Sequence, residues 1–117
     1  MIRWLTGLGL AVLASPAEAQ NCRLALALAL DISVSVDAKE DALQRQGLAS
    51  ALIAPEVQKA FFSSPLPVAL TVYEWSGRDA QYIVLPWRLI ETEADLLVAA
   101  TKVSESQRSD SGSATAM

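Results

Sequence analysis

Residues 24–35 read LALALALDISVS, from Leu24 to Ser35. Seven apolar residues in a row, Leu24 to Leu30, suit a strand buried on both faces, as in the middle of a parallel sheet. The run stops at Asp31-Ile32-Ser33-Val34-Ser35, which sets three oxygen-bearing side chains at every second position. Open α/β sheets bind their ligands outside the carboxyl ends of the strands. Asp31, Ser33 and Ser35 therefore fall where such a fold keeps its site, and their oxygens suit a hard cation such as Mg²⁺. Taken without its context, D-x-S-x-S is also the pattern of a turn that caps the following helix. The buried strand before it and the capped helix after it favour metal or anion binding.

The elements on either side extend this frame. Strand one covers about residues 23–31. Asp37, with Glu40 three residues on, forms a capping box for a helix that runs to about Leu52 and ends before Pro55. Ala38, Ala42, Leu43, Leu48, Leu52 and Ile53 are its expected apolar stripe, and Glu56 to Phe62 adds a short helical turn. Ser63 to Pro67 is a loop by composition. Val68 to Trp75 is strand two, Ser76 to Asp79 a turn and Gln81 to Pro86 strand three, an antiparallel hairpin. Thr92 and Asp95 cap a last helix with Leu96, Leu97, Ala100 and Val103 on its buried face, and Ser104 to Ser113 is a loop. The order β-α-β-β-α predicts an α/β fold, a doubly wound, mostly parallel sheet. A central strand one needs neighbours on both sides, and strands two and three lie on one. An open edge would leave backbone groups unsatisfied at about 1–3 kcal/mol each. The expectation is thus that residues 20–117 are the N-terminal half of such a domain.

Composition narrows the chemistry. The chain has 117 residues, 52% hydrophobic and 19% charged, and a formal net charge of −4, with no basic footprint for nucleic acid. It has no histidine, which removes Ser-His and Cys-His nucleophile pairs, histidine bases and histidine ligands together. A metal must be held by oxygen or by the single thiol, Cys22. Arg3, the apolar stretch Trp4–Ala14 and Ala17-Glu18-Ala19 read as a secretory signal peptide, residues 1–19, cut after Ala19. The stretch is too short to span a bilayer stably, so no membrane span is expected after cleavage, and Gln20-Asn21 before Cys22 rule against a lipoprotein. The expected location is periplasmic or secreted, an oxidising setting in which a lone cysteine is unusual.

With strand, Asp31-x-Ser33-x-Ser35 and helix in place, the chain resembles von Willebrand factor A-type domains at their metal-ion-dependent adhesion site. CRLALALALDISVSVDAKE (residues 22–40) and PVALTVYEWSG (residues 67–77) are similar to a family of uncharacterised secreted bacterial proteins with this Rossmann-like fold, and the likeness covers nearly all of residues 22–117. The resemblance implies that Ser33 and Ser35 bind Mg²⁺ (or Mn²⁺ or Ca²⁺) directly and Asp31 through water. It implies a further ligand from a threonine in a later loop, a position matched by Thr115, which equally suits a helix cap. The final aspartate of the pattern has no match, so weak metal binding or none is expected of residues 1–117 alone. The implied partner is a protein offering an acidic residue, and no catalysis is expected.

The residues themselves agree. Neutral hydroxyls leave a cation electron-poor and open to a partner's carboxylate. One rival is a haloacid-dehalogenase-like phosphatase with Asp31 as nucleophile, but Ser33 stands where the acid/base aspartate would be. Another is a structural secreted domain with an empty site. Among other residues, Glu74 is expected to face outward, Trp75 and Trp87 to pack in the core or at the sheet edge, Lys39, Glu40 and Asp41 to form a solvated helix face, and Arg78 and Asp79 to be turn polarity.

Overall fold

The computed structural model describes residues 21–109. The expected signal segment and Thr115 lie outside them. The order is β1 (Leu24–Asp31), α1 (Ala38–Leu52), α2 (Pro55–Phe61), β2 (Val68–Ser76), β3 (Ala80–Ile90) and α3 (Glu93–Glu105). The result is a small α/β domain with a mixed sheet of order β1-β2-β3. β1 runs parallel to β2 in a register from Leu24 against Val68 to Asp31 against Trp75. β2 and β3 form the antiparallel hairpin. The expected mostly parallel sheet is, over the described residues, one parallel and one antiparallel pair.

β1 is not buried on both faces. Leu26 and Leu28 pack against the core and Leu30 is fully enclosed, whereas Ala25, Ala27 and Ala29 are exposed. Side chains alternate across a strand, so the run presents leucines to one face and alanines to the other. The helices cover the leucine face, where Leu30, Leu70, Val72, Ile90, Leu96 and Val103 meet. An exposed alanine methyl forgoes far less burial than a leucine would. Trp75 and Trp87 stand on the alanine side, and Trp87 is 58% exposed instead of packed.

Both capping boxes form as expected. In α1 the Glu40 N–H donates to Asp37 Oδ1 at 2.8 Å and the Asp37 N–H to Glu40 Oε2 at 3.0 Å. Thr92 and Asp95 do the same for α3. The buried faces differ from expectation. α1 buries Asp41, Arg45, Ala49 and Leu52, and Leu43 is 65% exposed. α3 packs against α1 with Leu96, Ala99, Ala100 and Val103, leaving Leu97 57% exposed.

β3 continues through Pro86 to Ile90. Proline removes a donor but is tolerated on an edge strand. Two register irregularities, between Leu70 and Val72 and between Val72 and Tyr73, absorb the misfit. Thr71 sits in the first of these gaps, and its hydroxyl donates to the Leu85 carbonyl at 2.7 Å. The hairpin turns at Gly77, whose φ of 62° suits a residue without a side chain. Among the described residues no helix is long and apolar enough to cross a membrane.

Candidate metal-binding loop

β1 delivers its last ladder bond just past its end, where the Ile32 N–H donates to the Trp75 carbonyl at 3.0 Å. Ile32 is fully enclosed and anchors the loop. A turn follows, closed by the Val36 N–H on the Ser33 carbonyl at 2.9 Å, and Asp37 then opens α1. Within this frame Asp31 Oδ1 accepts from the Ser33 N–H at 2.8 Å and from the Ser33 hydroxyl at 2.6 Å. Ser33 Oγ and Ser35 Oγ lie 3.3 Å apart. Asp31, Ser33 and Ser35 are thus brought together in a chain of oxygens. Asp31 and Ser33 are half-buried and Ser35 is exposed.

Two residues the sequence reading missed hold this loop. The Asp31 backbone N–H and carbonyl point away from β2, because alternate residues of a strand face opposite edges. The Gln44 side chain from α1 meets both: its Oε1 accepts from the Asp31 N–H at 2.9 Å and its Nε2 donates to the Asp31 carbonyl at 3.0 Å. An amide thereby takes the place of a neighbouring strand. From beyond α3, the Arg108 guanidinium donates to the carbonyls of Ile32 (2.8 Å), Ser33 (2.8 Å) and Val36 (2.5 Å). Arg108 is an ordinary cation in a polar stretch, and no sequence signal ties it to the loop. Gln44 lies in the predicted helix, but only the fold shows that it reaches Asp31.

Beside the loop is a second polar cluster, and here two expectations are corrected. Glu74 is 2% exposed and does not face outward, and Asp41 is buried instead of solvated. Register explains Glu74: it pairs with Leu30 and shares its helix-facing side. Charge explains why burial is tolerated. Arg45 Nε donates to Asp41 Oδ2 at 2.9 Å, Arg45 Nη2 bridges to Glu74 Oε2, and Arg45 Nη1 donates to Ser106 Oγ at 2.8 Å. Ser109 completes Glu74, its hydroxyl donating to Oε1 at 2.6 Å and its N–H to Oε2 at 3.1 Å. Burial works against the Arg45 charge, but hydrogen bonds and attraction from Asp41 and Glu74 outweigh it and raise its pKa above the ordinary value.

The two clusters differ in what they can do chemically. The buried carboxylates have their counter-charge in Arg45. In the loop, no cationic side chain bonds the Asp31 carboxylate among the described residues; the Ser33 hydroxyl bonds it, and the Ser35 hydroxyl lies next to that of Ser33. One carboxylate and two hydroxyls suit a hard cation that retains water ligands, so the donor set fits Mg²⁺ or a similar ion. Among the described residues no group of three or more His, Cys, Asp or Glu could hold a metal, and Cys22 is a free thiol. Among the described residues, the oxygens this loop brings together are one carboxylate and two hydroxyls.

Fold and loop together define a class: a small α/β domain with an oxygen-rich turn at the carboxyl end of its first strand. The model of the family described as "Protein of unknown function (DUF1194)" matches residues 21–117, and the chain belongs to that family. No curated protein and no solved structure matches the chain.

Proposed function

We propose that this is a secreted, von Willebrand A-like domain that binds a protein partner through a metal ion held by Asp31, Ser33, Ser35 and Thr115. The observation that carries the reading is the convergence of Asp31 Oδ1, Ser33 Oγ and Ser35 Oγ where β1 ends. Mg²⁺ is the preferred candidate, with Mn²⁺ or Ca²⁺ as substitutes. A cation held by one carboxylate and neutral hydroxyls keeps most of its charge, and so recruits an Asp or Glu from the partner. Ser109 is tied to Glu74, and Thr115 follows it by six residues, a span of at most about 20 Å. The ligand role of Thr115 rests on the resemblance to the adhesion-site pattern. The doubly wound architecture belongs to the same proposal. The outer edge of β1 and the alanine face of the sheet are where further strands and helices of such a fold would join.

The test uses the protein expressed through to the natural stop codon of its gene. Mn²⁺ titration followed by electron paramagnetic resonance should show a bound ion displaced by Mg²⁺, and Ser33→Ala combined with Ser35→Ala should abolish it. Equal Mn²⁺ binding by the wild type and the double variant would overturn the site.

A further inference from the structure

Arg108 has a place in the loop that a cap or a surface cation does not need. Its guanidinium takes three carbonyls from five consecutive residues, those of Ile32, Ser33 and Val36. These carbonyls belong to the same turn as Asp31, Ser33 and Ser35, and are among the backbone oxygens open to recruitment by a cation held there. Arg108 is also fixed in position from both sides. Two residues before it, Ser106 Oγ accepts from Arg45, and one residue after it, Ser109 bonds Glu74 through both its N–H and its hydroxyl. A planar guanidinium held this way loses little freedom in each bond it makes.

Cation choice follows from which oxygens remain free. Ca²⁺ takes six to eight oxygen ligands in flexible geometry and commonly recruits backbone carbonyls, whereas Mg²⁺ demands a compact octahedron and retains several waters. With the carbonyls of Ile32, Ser33 and Val36 held by Arg108 and that of Asp31 by Gln44, the loop offers chiefly one carboxylate, its hydroxyls and room for water. That set is sufficient for Mg²⁺ and poor for Ca²⁺.

We propose that Arg108 is the positioning residue that sets the cation preference of this loop: by holding the carbonyls of Ile32, Ser33 and Val36 it withholds them from the metal and favours Mg²⁺ over Ca²⁺. This inference rests on the metal-binding reading of Asp31, Ser33 and Ser35. Its readout is a ratio of affinities, which general loosening of the loop would lower for both ions without inverting.

Calorimetric titrations with Mg²⁺ and with Ca²⁺, on the protein expressed to its natural stop codon, give that ratio for the wild type, Arg108→Ala and Arg108→Lys. Loss of a residue that orients ligands from outside the coordination shell costs about 10- to 100-fold in metal affinity. Arg108→Ala should therefore lose about tenfold or more for Mg²⁺ while Ca²⁺ affinity holds or rises. Lysine keeps the charge but lacks the fork, so Arg108→Lys should shift the ratio in the same direction by less, and it decides the matter should the alanine variant fail to fold. An unchanged Ca²⁺ to Mg²⁺ ratio in the folded variants would overturn the role of Arg108 and leave the metal site standing. A wild type that takes up neither ion would overturn the metal site itself, and this inference with it.

Discussion

Asp31 and Glu74 sit one register step apart on adjacent strands, yet their carboxylates live in different surroundings. Glu74 is enclosed, paired with Arg45 and bonded twice by Ser109. Asp31 is half-buried, and among the described residues its carboxylate accepts from the Ser33 amide and hydroxyl alone. Charge taken out of water must be neutralised in place, and the Arg45 cluster does this with one guanidinium between two carboxylates. A charge left at the solvent boundary can keep lone pairs free for a visitor. The segment 106–109 joins the two, with Ser106 and Ser109 on the buried cluster and Arg108 on the loop. The buried cluster thus acts as the foundation on which the open one is held.

Breaking the foundation should have the largest effect. Arg45→Met leaves the Asp41 and Glu74 carboxylates enclosed without a counter-charge. Removing one partner of a buried pair costs about 3–5 kcal/mol, read as a fall in the urea midpoint of unfolding. Glu74→Gln keeps an oxygen for Ser109 and should cost less. Ser33→Ala with Ser35→Ala should change stability by no more than about 1 kcal/mol, because the groups left behind can turn to water. A double serine variant as unstable as Arg45→Met would erase the distinction between the two clusters.

That contrast also marks what the sequence could disclose. Asp31, Ser33 and Ser35 lie within five residues and bond one another, so their grouping was legible from spacing. The boxes at Asp37–Glu40 and Thr92–Asp95 were legible for the same reason, each being complete within one turn. The buried face of α1 was not, because Asp41 and Arg45 occupy positions where periodicity looks for apolar residues, and their enclosure depends on Glu74 arriving from another element. Arg108 meets the Ser33 carbonyl across 75 residues, and a polar contact at that separation leaves no periodic trace. Pro86 suits either a strand end or an edge position by its sequence, and the fold takes the second: β3 runs on past it to Ile90.

A smaller effect is expected where loop and helix meet. Asp37→Ala removes the acceptor for the Glu40 N–H. Loss of such a cap costs about 1 kcal/mol, measurable by urea denaturation. Since the N-cap Asp37 of α1 lies only two residues after Ser35, the variant should also speed amide hydrogen exchange at Val36, whose bond to Ser33 closes the turn. Exchange at Val36 unchanged from wild type would show that the loop is held by Arg108 and Gln44 alone, which would sharpen the assignment of the foundation.

The smallest effect separates a third carboxylate from the first two. Asp95 has its pKa lowered, first by the Glu91 N–H and then by Arg88, with the Thr92 N–H adding to both. A carboxylate whose folded pKa lies below its unfolded value, about 3.9, favours the fold when ionised. That contribution is complete above the unfolded pKa and is lost as pH falls through the lowered folded pKa. Stability should therefore decline as the solution is acidified below about pH 4, and Asp95→Asn, which can still accept at the cap, should flatten part of that decline. Urea midpoints taken across this range for both proteins give the comparison. Parallel pH profiles would mean that the bonds from Glu91, Thr92 and Arg88 do not persist in solution. A flattened profile would place Asp95 between the other two carboxylates, partly exposed like Asp31 yet already committed to protein donors like Glu74, and so unavailable to a cation.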